Sequence, residues 1–318
     1  MAHLDDRGIV AVIEIVVYVP LALLSIGLLF KYGFKREGWL YLLILAIVRI
    51  AGGVTHILAA NQANPSATLE TVVNILEMTG LSPLLIATVG FLTTVKQRAF
   101  EDGHPLNKIL RLLGILSTVA LALTITGGVK IGSNATPNGD VSQINSGNNF
   151  RHIGVILFAI QFVCTVLVTF FVWAHYHLVL RYRRILLKAI TLSLPFLAVR
   201  VLYSVLSAYA PLGIPGVTSG SPSLANFNST RGSFTIWVVM SPIMEFVVIV
   251  IYVSVGLATP LHNDYAVGSR GEPVEEARRL YPGTYAPNID GTPNPDQVAK
   301  PYGNHSAFAP HPAYSRGA

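Results

Sequence analysis

Seven apolar runs of about 20 or more residues occupy most of this chain, at roughly 8–30, 38–60, 71–95, 107–127, 152–176, 187–210 and 233–258. A helix needs about 20 predominantly apolar residues to cross the roughly 30 Å hydrocarbon core of a bilayer. In lipid every backbone N–H and C=O must be bonded internally, so only helices and closed barrels span. Runs this long predict an all-α, seven-transmembrane-helix bundle. The composition agrees, with 52% hydrophobic and only 12% charged residues among 318. Soluble domains carry about 25% charged residues.

Five charged side chains interrupt these runs: Glu14, Arg49, Glu77, Arg200 and Glu245. A charge at bilayer centre costs at least roughly 2.5–3.5 kcal/mol on insertion scales. Five of them on separate helices are therefore expected to face one another or a shared interior chamber. Helical spacing places further polar groups beside them. Arg49, Gly53 and His56 stand at i, i+4 and i+7, as do Glu70, Asn74 and Glu77. Arg200, Tyr203, Ser204 and Ser207 share one side of their helix, and Trp237, Ser241 and Glu245 stack on the last.

Basic residues set the expected orientation. Lys31, Lys35, Arg36, Lys96, Arg98, Lys108, Arg111, Arg181, Arg183, Arg184 and Lys188 fall at one set of helix ends. Lys130, Arg151 and Arg231 fall at the other. Positive charge accumulates on the cytosolic side, so the amino terminus is expected outside or in a lumen and the carboxyl terminus in the cytosol. The +6 net charge follows from this bias and calls for no nucleic acid. Sequons at Asn134 and Asn228 lie in the expected lumenal loops, about 128–151 and 211–232, and predict glycosylation there. Asp5 and Asp6 before the first run argue against a cleavable signal. The domain organisation predicted is a transmembrane domain over 1–261 and a disordered Pro- and Gly-rich cytosolic tail over 262–318. The endoplasmic reticulum is the expected membrane, ahead of the plasma membrane.

Helices 1–3 and 5–7 resemble weak parallel repeats flanking helix 4. "LAIVRIAGG" with Arg49 echoes "FLAVRVLYS" with Arg200, Glu77 corresponds to Glu245, and Glu14 to Gln161. Such layouts place sites at the repeat interface.

Glu77, Glu245 and Glu14 are the candidate catalytic residues. Two arginines facing three glutamates leave one carboxyl without a full partner, a candidate proton donor in an apolar chamber. Arg49 and Arg200 would orient the carboxyls. His56 is a candidate proton acceptor, and Tyr18, Tyr203 and Trp237 could line the chamber and stabilise a cation through their π faces. His175 and His177 lie at an interfacial helix end and are explained by solvation. No metal motif, phosphate-binding glycine loop or nucleophile triad can be assembled, so no metal or cofactor is expected. Cys164 is the sole cysteine, which excludes an intrachain disulfide.

Three stretches carry a likeness to a known group: "GIVAVIEIVVYVPLALLS" in helix 1, "LLILAIVRIAGG" in helix 2 and Gly80 to Leu92, "GLSPLLIATVGFL", in helix 3. Through them residues 1–260 resemble a seven-pass integral membrane family of filamentous fungi that includes membrane-bound meroterpenoid terpene cyclases of the ascochlorin and macrophorin type. The resemblance implies cyclisation of a farnesyl chain on an aromatic or quinone-like head, in fungal secondary metabolism. Its implied partners are the lipid bilayer and a hydrophobic prenylated substrate. It carries over no catalytic residue.

On that implication the expected chemistry is protonation of an olefin or epoxide by Glu245 or Glu77, with Glu14 or His56 taking up the final proton. Two other classes fit the same topology: a seven-helix receptor, and a proton-coupled small-molecule or lipid transporter.

Overall fold

The computed structural model describes residues 6–32, 37–62, 79–96, 105–134, 139–179, 181–212, 220–228 and 232–259, together with 69, 72, 73, 75 and 76. Glu77 and the tail over 262–318 lie outside the described residues. Among those described, all regular structure is helical. Helices α1 (Asp6–Tyr32), α2 (Glu37–Ala60), α3 (Leu81–Lys96), α4 (Pro105–Asn134), α5 (Val141–Ala174) and α6 (Arg181–Ala208) follow in order. The last rod is α7 (Phe234–Val238), a π-helical turn (Val239–Ile243) and α8 (Met244–Ala258).

Among the described residues, six helices are long and apolar enough to cross a membrane; for this count the α7–α8 rod is a single helix. The short α3, of 16 residues, is buried along nearly its whole length. It packs against α2, α4, α5 and α6, while α1 closes onto α2 and α8, and α8 onto α6. α3 is thus the axle of the bundle. "GLSPLLIATVGFL" is apolar on all faces because every face meets protein.

The outer helices are apolar outward as well. Val16, Leu23 and Phe30 repeat every seven residues along α1 and are 65%, 65% and 75% exposed. Ile160, Val163, Leu167 and Phe170 form a like stripe on α5. Water would not tolerate such a surface, and a bilayer requires it.

Close backbone approach joins α4 to α5, the most extensive helix pairing among the described residues. A Cβ on Gly127 would stand 2.6 Å from the Gly147 carbonyl oxygen, and one on Gly154 would stand 2.4 Å from Thr124 Oγ1. Small residues let membrane helices pack backbone to backbone. This pairing overturns the expected loop over 128–151. Residues up to Asn134 and from Val141 onward are helical, because Gly127, Gly147 and Gly154 serve packing rather than chain reversal. Asp140 caps the start of α5, its carboxylate accepting from the Ser142 N–H at 2.8 Å.

One end of the bundle is densely packed with aromatics. Trp39 is fully buried with its ring 4.7 Å from that of Phe91, which lies 4.7 Å from that of Tyr252. Gly256 makes room for Trp39, since a Cβ there would be 2.2 Å from its Cη2. The Tyr252 hydroxyl bridges Thr88 Oγ1 at 3.0 Å and Ser193 Oγ at 2.7 Å. The clefts lie elsewhere, around the buried charges.

Candidate functional site

Arg49 of α2, Arg200 of α6 and Glu245 of α8 meet inside the bundle, 4%, 3% and 0% exposed. Arg49 Nε donates to Glu245 Oε2 at 2.7 Å, and Arg49 Nη2 donates to the same oxygen. Arg200 Nε donates to Oε1 at 2.5 Å. Each guanidinium thus takes one oxygen of the shared carboxylate. The Arg200 fork also donates from Nη1 to Ser204 Oγ at 2.9 Å, one helical turn further along. Charge-assisted bonds of this kind are roughly twice as strong as neutral ones, and they answer the desolvation of three ions.

Glu14 of α1 stands at the edge of this group. Its Oε1 lies 3.7 Å from Arg49 Nη1, too far for a hydrogen bond. That oxygen is buried with no hydrogen-bond partner. Among the described residues Glu14 is thus the carboxyl to which neither arginine donates a hydrogen bond. Tyr18, one turn along α1, is 2% exposed and its hydroxyl is likewise without a partner.

The charged row divides two clefts. On one side lie Glu14, Arg49, His56 and Trp237, with Arg7 and Gly53, around about 390 Å³ of empty volume including the open mouth. The Arg7 guanidinium sits over the Trp237 ring, 5.3 Å from its centre. On the other side lie Arg200, Tyr203, Ser207, Ser241, Arg151 and Phe158, around about 450 Å³ measured the same way. The Arg200 guanidinium is 5.8 Å from the centre of the Tyr203 ring. Trp237 thus faces one cleft and Ser241 the other, although helical spacing alone stacks them. The π turn, which begins two residues after Trp237 and contains Ser241, changes the angle, and such turns are frequent at functional sites.

The expected convergence of Glu14, Arg49, Arg200 and Glu245 is what the helices build. The expected single chamber is instead a pair of clefts with Glu245 in the wall between them. Glu245 is fully buried, lines neither cleft, and accepts from a guanidinium at each oxygen, so it is the counter-charge of both arginines. His56 and Trp237 line one cleft and Tyr203 the other, while Tyr18, expected on the lining, is packed in the core and lines neither, and His175 and His177 stay at a helix end beyond both. Among the described residues no group of His, Cys, Asp and Glu could hold a metal.

Three site residues escaped the sequence reading. Arg151 was assigned to a loop, yet it is 5% exposed on α5 and its Nη2 donates to the Ser207 carbonyl at 2.6 Å. Its spacing from Gly147 and Gly154, four before and three after, was the available signal. Gly80 lies against the Arg49 guanidinium. Ser241 was placed only on a stripe, and its Oγ is buried without a partner. Of the two sequons, Asn134 Nδ2 donates back to Lys130 O at 3.0 Å, and Asn228 Nδ2 donates to Pro211 O at 2.6 Å.

Residues 4–261, which hold the whole charged row and both clefts, match a family model described as Domain of unknown function (DUF7702). The chain belongs to this family. No curated protein and no solved structure matches it. The DUF7702 match stops where the helical bundle stops, so the domain is the bundle itself.

Proposed function

We propose that this DUF7702 protein is an integral membrane terpene cyclase, acid-initiated and metal-independent, acting on the farnesyl-type chain of a meroterpenoid. The observation that carries the reading is Glu14: a carboxyl lining a cleft with Trp237, held near Arg49 and making no hydrogen bond among the described residues. A group so placed can hold a proton toward a ligand, whereas Glu245 lines neither cleft. Glu14 gives that proton to the terminal olefin carbon, forming a C–H bond and a tertiary cation. With an epoxide the proton goes to oxygen and a C–O bond breaks. The next olefin supplies the electron pair of the new C–C bond. The last cation loses a proton to His56 or to the Glu14 carboxylate, so the reaction is a net isomerisation. Trp237 offers a π face to the intermediate cation, and Arg49 holds Glu14 in place.

The reading includes seven spans, with α3 and the helical residues just before it as the third. The amino terminus is lumenal, in the endoplasmic reticulum, and the two three-helix sets form the repeat that brings Arg49 and Arg200 to one carboxylate. The excess of Lys and Arg at the ends near Lys31, Lys96 and Arg184 supports this orientation.

Microsomes bearing the protein should convert a farnesylated phenol, or its terminal epoxide, into a cyclised isomer of unchanged mass and fewer olefinic protons. Glu14→Gln should lower the rate by roughly 10²–10⁴, the usual contribution of a positioned acid. Failure of folded wild-type protein to convert either substrate overturns the reading. Proton-dependent flux of an unaltered cargo in proteoliposomes would replace it with transport, and ligand-stimulated signalling with a receptor.

A further inference from the structure

The cleft on the Arg200 side plays no part in that proton transfer, yet it presents unused donors. Arg200 spends Nε on Glu245 and Nη1 on Ser204, and its Nη2 makes no hydrogen bond among the described residues. Ser241 is 1% exposed, lines the same cleft and keeps a buried hydroxyl with no partner. Buried polar groups in folded proteins are almost always hydrogen-bonded, so the orphaned Ser241 hydroxyl, in a cleft that Arg200 also lines, marks a place where an acceptor belongs. A second guanidinium, Arg151, lines the cleft, and among the described residues no carboxylate does. The facing wall is apolar, made by Leu81, Val155 and Phe158.

We infer that this cleft binds the carboxylate head of an apolar-tailed amphiphile. A carboxylate offers two acceptor oxygens in one plane, one for Arg200 Nη2 and one for Ser241 Oγ. A guanidinium fork suits that geometry. An ammonium head would meet two guanidiniums and is repelled. The apolar wall takes the first carbons of the tail, and the open side of the cleft lets the rest continue outward. The inference is independent of the cyclase reading, because binding alone tests it.

The test is calorimetric titration of the full chain in lipid nanodiscs, with empty nanodiscs subtracted. The probes are farnesoic acid, farnesol and acetate. Farnesoic acid should bind, and farnesol and acetate should each bind at least tenfold more weakly. Ser241→Ala removes a hydroxyl that supports nothing else in the fold, so it should keep the wild-type melting temperature. It should weaken farnesoic acid roughly tenfold, the scale of a hydrogen bond to a charged group. Arg200→Lys should weaken it further. Equal affinity for farnesol overturns the carboxylate, and acetate binding as tightly as farnesoic acid overturns the amphiphile. Unchanged affinity in Ser241→Ala overturns the site.

Discussion

Gly80 lies so close to Arg49 that a Cβ on it would stand 2.8 Å from the guanidinium Nη2. That nitrogen is one of those holding Glu245, so the glycine at the head of the central helix sets where the charged row can sit. Gly80→Ala should push the guanidinium off its carboxylate. Overpacking of this kind costs about 1–3 kcal/mol, read as a lower melting temperature in detergent. An unchanged melting temperature would show that Arg49 moves aside freely.

Glu245 stabilises through what it neutralises. Glu245→Gln leaves two buried guanidiniums facing an amide, and breaking a buried ion pair on one side costs about 3–5 kcal/mol. Replacing Arg49, Arg200 and Glu245 together by Met, Met and Leu should recover much of that stability. It should also abolish product formation in the microsomal assay. A triple variant that is both stable and active would reduce the row to a structural lock.

Glu14 should behave in the opposite way. With no hydrogen bond to lose, Glu14→Gln should change stability by less than about 1 kcal/mol, the range of weak ion pairs, while turnover falls. Equal losses in thermal stability and turnover would remove its special role.

The pairing of α4 with α5 rests on glycine. Gly127→Ala and Gly147→Ala each push a methyl toward the facing backbone, at 2.6 and 2.8 Å from the other glycine's carbonyl oxygen. Each should lower the melting temperature. The double variant should fall short of the sum of the two, because one displacement of the helices relieves both clashes.

Orientation has a direct test. With a lumenal amino terminus, Asn228 faces glycosyltransferases, and endoglycosidase treatment should shift the protein on a gel. Asn228→Gln should remove that shift. A glycan on Asn304, in the third sequon Asn304-His-Ser of the tail expected in the cytosol, would instead invert the topology.

Much of this was legible in the sequence because lipid makes the penalty for a misplaced charge large. Glu14, Arg49, Arg200 and Glu245 were readable as a converging set, and one carboxyl was expected to go short. The expectation failed where composition misled. Residues 141–151 carry Ser, Asn and Gly, which suggests a loop, yet they wind as helix because Gly147 is a contact and Arg151 points inward. Trp39, near the start of the second apolar run, is core because Gly256 leaves room for its ring, a long-range contact that no local spacing reveals. The division into two clefts was beyond reach, since it depends on a local change of winding that spacing rules assume away.

That change of winding has a consequence for how the chain tolerates length. An α-helix turns by about 100° per residue, and a π turn holds one residue more than its α counterpart. The segment Val239–Ile243 is thus a phase lag written into the last rod. Deleting a single amino acid there would restore even winding and leave Trp237 and Glu245 in phase, whereas rewinding the segment as α-helix at unchanged length would swing Trp237 by about 100° relative to Glu245. The counter-charge would then keep its arginines while the aromatic wall turned away. One codon sets the relation between the two halves of the interior.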